Sequence, residues 1–104
     1  MKYIITEDRL ESVIFNFLNS KLSGIKKLNG ENYDIVFTFP NKKYGLLGWK
    51  QPCDLYVFYT LTNEIEDVFG IKRSDALYVI GRYVAGKYNL EVKTAMESWI
   101  RDII

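Results

Sequence analysis

Apolar positions early in the chain recur at helical spacing. Leu10, Val13, Ile14, Phe17 and Leu18 fall three or four residues apart and give a helix one apolar stripe. The spacing predicts a helix over about residues 7–21. Thr6 stands where a hydroxyl caps the first turn, and Glu7 and Asp8 follow where negative charge suits the helix dipole. Ser23-Gly24 closes the element, with Gly24 as its left-handed residue. A short apolar run, Tyr3-Ile4-Ile5, precedes it.

The period then drops to two. Tyr33, Ile35, Phe37 and Phe39 alternate with Asp34, Val36 and Thr38, the pattern of a strand covered on one face. Residues 25–28 pair with it across Asn29-Gly30-Glu31-Asn32, since Asn-Gly tolerates the positive φ of a hairpin turn. Pro40 to Lys43 reads as a turn. Residues 44–49 read as a shorter strand in which Gly45 and Gly48 mark a bulge or a close backbone approach. Gln51-Pro52 breaks the pattern, and the nearly continuous apolar run from Asp54 to Leu61 predicts a central strand.

Helical spacing returns in the last third. Thr62 or Asn63 is placed to cap a short helix bearing Ile65, Val68 and Phe69, which Gly70 stops. Ser74-Asp75 opens a second helix with Leu77, Ile80, Tyr83 and Val84 on its buried side, Gly86 near its end and Asn89 closing it. Residues 90–94 read as a final strand. Thr94 to Glu97 has capping-box spacing, which places Trp99, Ile100, Ile103 and Ile104 on a terminal helical turn. The expected architecture is a single α+β domain over residues 1–104. It has an N-terminal helix, an antiparallel meander of three to four strands, two C-terminal helices and a short final strand or helical tail, with the helices packed on one face.

Composition removes several function classes. A hydrophobic content of 48% and a net charge of +1 are globular values and leave no global field to hold a polyanion. The chain has no histidine, so it lacks the usual general base near neutral pH and the commonest transition-metal ligand. Its one cysteine, Cys53, forms no internal disulfide and reads as a buried, inert thiol at a strand start. No apolar run reaches the roughly 20 residues that cross a bilayer, and the acidic turn after Ile5 is unlike a signal peptide. A cytoplasmic protein without membrane contact is expected.

Candidate chemistry is sparse. The acidic groups Glu7, Asp8, Glu11 and Glu64, Glu66, Asp67 stand at predicted helix starts, where the dipole accounts for them. An acid–base or metal site would need a convergence such as Asp34, Asp54 and Glu64. Gly45-Leu46-Leu47-Gly48 lacks the ending of a phosphate loop. No catalytic residue, metal site or cofactor is therefore expected. Lys26, Lys27, Lys42, Lys43 and Lys50 lie beside Tyr44 and Trp49, and they read as edge protection rather than a nucleic-acid track. Residues 62–80 are similar to a helix-turn-helix, with Ile65, Ala76 and Val79 inward, a Gly70-Ile71 turn, and Lys72, Arg73, Ser74 and Tyr78 toward a groove. Glu66 stands where such motifs carry a small apolar residue.

The opening Lys2-Tyr3-Ile4-Ile5-Thr6-Glu7 with Leu10, and the later Val79-Ile80-Gly81-Arg82-Tyr83-Val84 followed by Leu90-Glu91-Val92-Lys93, resemble the two ends of small bacteriophage proteins. The likeness covers the ends of the chain and carries no activity. It implies a viral accessory protein working in the cytoplasm of a host cell. Tyr44, Leu46, Trp49, Tyr56, Phe58 and Trp99 exceed what one small core is expected to hide, which points to binding of a protein partner or a second copy. Nucleic-acid binding through residues 62–80 is the alternative.

Overall fold

The computed structural model describes residues 7–30, 33–39 and 46–98. The expectations for Tyr3–Thr6, the second half of the hairpin turn, the turn at Pro40–Lys43, Tyr44, Gly45 and the helical turn from Trp99 lie outside the described residues.

Helix α1 runs Glu7–Lys21, followed by strands β1 (Lys26–Leu28), β2 (Ile35–Thr38), β3 (Leu47–Lys50) and β4 (Asp54–Phe58). Helices α2 (Tyr59–Phe69) and α3 (Arg73–Tyr88) then lead to strand β5 (Thr94–Ser98). The strands form one sheet in chain order, β1-β2-β3-β4-β5. The first three pairings are antiparallel, as short turns between consecutive strands require, and β5 pairs parallel to β4. The helical pair α2–α3 is thus the crossover that a parallel pairing needs. The α+β class and the antiparallel meander agree with the pattern of the sequence. Within the described residues, no helix is long and apolar enough to cross a membrane.

The stripe on α1 buries Ile14 and Leu18 completely, and Gly24 adopts φ 84° beyond its end. Period two then sorts the sheet residues. Phe37, Leu47, Trp49, Leu55 and Val57 face the helices and join Ile14, Leu18, Leu61, Ile65, Ile80 and Val84 in one core. Gly70 at φ 62° and Asn89 at φ 55° end α2 and α3, both at positions read from the sequence.

Several expectations change. The central strand stops at Phe58, and Tyr59-Thr60-Leu61 open α2. Phe58 is the N-cap with no side-chain bond, so neither Thr62 nor Asn63 caps the helix. Leu61, Thr62 and Ile65 form its buried stripe, whereas Val68 is 54% exposed. Burial at helical spacing outweighs the β preference of Tyr59 and Thr60. The last strand lies at 94–98 and not 90–94, and the capping-box residues Thr94 and Glu97 are part of it. Pairing with the edge of β4 from Asp54↔Thr94 to Phe58↔Ser98 supplies ladder hydrogen bonds that a helical turn would forgo. Cys53 is half-buried, ahead of β4, and its carbonyl accepts from the backbone of Lys93.

Candidate interaction surface

The register aligns one residue from each strand across the sheet. Leu28 pairs with Val36, Val36 with Gly48, Gly48 with Tyr56, and Tyr56 with Met96. Their neighbours in chain order, Phe37, Leu47 and Val57, belong to the core, so this row lies on the face away from it. Tyr33, Val36 and Phe58 are buried yet stand outside the main cluster. The face away from the helices therefore carries its own apolar layer, buried along its centre.

Tyr33 organises that layer. Its ring lies over Gly48, where an added Cβ would come within 2.6 Å of the ring. The ring meets that of Tyr56 at 5.3 Å, and its hydroxyl shares a hydrogen bond of 3.0 Å with Ser98 Oγ on β5. The ammonium of Lys50 stands 5.5 Å from both ring centres, a cation–π position that keeps the charge at the surface. At the two ends of the row, Leu28 and Met96 are 37% and 39% exposed. The lysines of the outer strand β1, Lys26 and Lys27, are exposed as edge protection requires.

The residues expected at an interface separate. Tyr56 is half-buried on the face away from the helices, and Phe58 is 4% exposed there. Leu46 packs half-buried against the core. Trp49 faces the helices at 8% exposure, and its indole N–H donates to the Glu91 carbonyl at 2.9 Å. Trp49 is thus a core residue that ties the turn after α3 to β3, and the core hides more aromatic surface than the sequence suggests. Tyr44 and Trp99 lie outside the described residues.

The segment 62–80 buries Ile65, Ala76 and Val79, as two helices packed around a turn must. Lys72, Ser74 and Tyr78 are exposed. Arg73 is engaged within the protein. It donates to Glu66 Oε1 at 2.7 Å, Glu97 Oε1 at 3.0 Å and Asn63 Oδ1 at 3.0 Å, and joins α2, α3 and β5. The hydrogen bond to Glu66 leads the effects that raise its pKa above the usual guanidinium value. Glu66 is therefore a partner for Arg73, not a misplaced packing residue. The second oxygen of Glu97 and the hydroxyl of Thr62 are buried without a protein partner.

No protein family, curated protein or solved structure matches this chain.

The acidic residues do not converge. Asp34 accepts from the Gln51 backbone N–H at 2.7 Å and Asp54 from the Thr94 hydroxyl at 2.7 Å, while Glu64 pairs with Lys21 at 2.9 Å. Asp34 and Asp54 flank the end of β3, Glu64 stands on α2, and each is satisfied by its own partner. Among the described residues no cluster of three metal-ligating side chains occurs. The arrangement supplies contact area and fixed charge positions. Sequence reasoning missed Tyr33 as the organiser of the face away from the helices. The available signal was Gly48, whose missing side chain makes room for a ring.

Proposed function

We propose that this protein acts by binding protein, through the exposed apolar ends of the sheet face away from its helices, and that its first partner is a second copy of itself. The observation that carries the reading is the apolar row from Leu28 to Met96, which crosses all five strands opposite the helices. The exposed apolar side chains at the two ends of that row, Leu28 and Met96, are its contact points. The resemblance of the two chain ends to bacteriophage proteins supports a viral accessory role in the host cytoplasm.

Sedimentation equilibrium tests the reading. The wild-type protein is expected to approach twice its 12.2 kDa mass as concentration rises. Leu28→Glu with Met96→Glu is expected to hold it at the monomer mass, because each change adds a charge to the row at a site already in contact with water. A monomer at every concentration that binds no hydrophobic dye, or a dimer that the double variant leaves intact, overturns the proposal.

A further inference from the structure

A second surface lies between α3 and β5. Ser74, Leu77, Tyr78, Gly81 and Arg82 of α3 recur at i, i+3, i+4, i+7 and i+8, and all five line one wall of a cleft of about 290 Å³. Val92, Lys93 and Ala95 line the other side. Residues on one helical stripe make a continuous wall, here about 12 Å long at 1.5 Å per residue. That is the span of roughly four residues of extended chain at 3.3 Å each. Beyond this wall runs β5, an edge strand of the sheet among the described residues. An edge strand presents backbone donors and acceptors to a further strand, and a helix beside it supplies side-chain contacts.

The close approach of helix to strand fixes the floor. A Cβ on Gly81 would lie 3.3 Å from Ala95 Cβ and 3.4 Å from Val92 Cγ1, so α3 sits directly on the start of β5. Leu77 and Val92 make the lining apolar around two cations, Arg82 and Lys93, and no acidic side chain is among its described lining residues. Arg82 is oriented by Glu11 at 2.9 Å and by the ring of Tyr78 at 5.7 Å, while its side chain stays 55% exposed. Lys93 is 71% exposed and only 3.9 Å from the equally open Glu91, a weak pair.

From this we infer that the α3–β5 cleft takes an extended peptide segment of another protein, added to β5 as a strand, with aliphatic side chains toward Leu77 and Val92 and acidic ones toward Arg82 and Lys93. An apolar-floored groove with two exposed cations, along a strand that is the sheet edge among the described residues, selects that chemistry over a neutral or basic segment. Nucleic acid would use the same cations but has no use for the edge backbone.

An NMR titration of the isotope-labelled full chain with the capped peptide Val-Thr-Glu-Thr-Val-Thr-Glu, which puts valine and glutamate on one face of a strand, tests the inference. Amide shifts are expected over residues 74–82 and 92–98, and not on β1 or β2. Replacing glutamate by lysine in the peptide, or inserting proline at its centre, is expected to abolish them. Lys93→Glu is expected to weaken binding by about five-fold, in keeping with an exposed charge pair. That position is exposed, so the variant keeps its fold even if Arg82→Gln, which also loses Glu11, does not. Leu28→Glu, aimed at the face away from the helices, should leave the titration unchanged. Absence of shifts at millimolar peptide, equal binding of the lysine peptide, or stronger binding of single-stranded oligothymidine overturns the inference. Shifts at 74–82 and 92–93 that appear on self-dilution without peptide also overturn it and assign the cleft to a second copy.

Discussion

At the scale of single residues, the sheet face away from the helices depends on one missing side chain. Gly48 sits under Tyr33, and a methyl there would lie 2.6 Å from Cγ and 2.8 Å from both Cδ atoms. The crowded atoms are at the root of the ring, so no free chain end can swing aside. The ring is also held by Ser98 and by the Tyr56 and Lys50 contacts. Gly48→Ala is therefore expected to destabilise the protein by about 1–3 kcal/mol, the usual cost of overpacking. Urea denaturation reads it directly, and an unchanged midpoint would mean that Tyr33 packs elsewhere. The close approach at Gly48 was legible in the sequence because glycine inside a strand pattern needs a reason. Which ring filled the space was not, since Tyr33 precedes its strand and reaches across three others.

At the scale of elements, legibility followed the strength of local signals. Helix α1 carries five apolar residues at one spacing and a glycine stop, and the hairpin β1–β2 has Asn-Gly; both stand where their patterns put them. The sequence Thr94-Ala95-Met96-Glu97-Ser98 has no alternation of aliphatic residues, and its strand exists because β4 offers it an edge. Tyr59 and Thr60 look like strand, and only the burial of Leu61 and Ile65 turns them into helix. The contact of α1 with α3 makes a prediction at this scale. Tyr83 on α3 is 4% exposed, and its hydroxyl donates to Asn19 Oδ1 of α1 at 2.7 Å. Burial leads the effects that push its pKa above the ordinary value of 10.0, with Tyr88 adding to the rise. The neutral phenol is thus favoured in the folded chain, and the unfolded chain releases the proton first. Stability is full below pH of about 10 and falls as pH rises from there toward and through the folded pKa. Thermal melting in alkaline buffers should show that decline, and Tyr83→Phe should flatten it. A variant that declines as steeply as wild type would place the titration in other groups.

For the whole molecule, the decisive feature is how its last strand is held. Strands β1 to β4 follow one another through short turns, while β5 returns through two helices to lie beside β4. Arg73 stands at the centre of that return, bonded to Asn63 and Glu66 of α2 and to Glu97 of β5. An exposed ion pair is worth little by itself, but this one links three elements and meets a carboxylate whose side chain is only 12% exposed. Removing the guanidinium also strips Glu97 of the Arg73 cation while its other oxygen stays buried without a protein partner. Arg73→Ala should therefore speed hydrogen exchange of the β5 amides by roughly two- to five-fold, with β2 and β3 unaffected, because local openings draw on local contacts. The helix-turn-helix reading of the same segment makes the opposite demand. There, Arg73 faces a nucleic-acid groove, and its loss would weaken salt-sensitive duplex binding while leaving β5 exchange as it was. One substitution with two readouts separates an arginine that fastens the sheet edge from one that reads a groove, and the three short bonds to Arg73 favour the first.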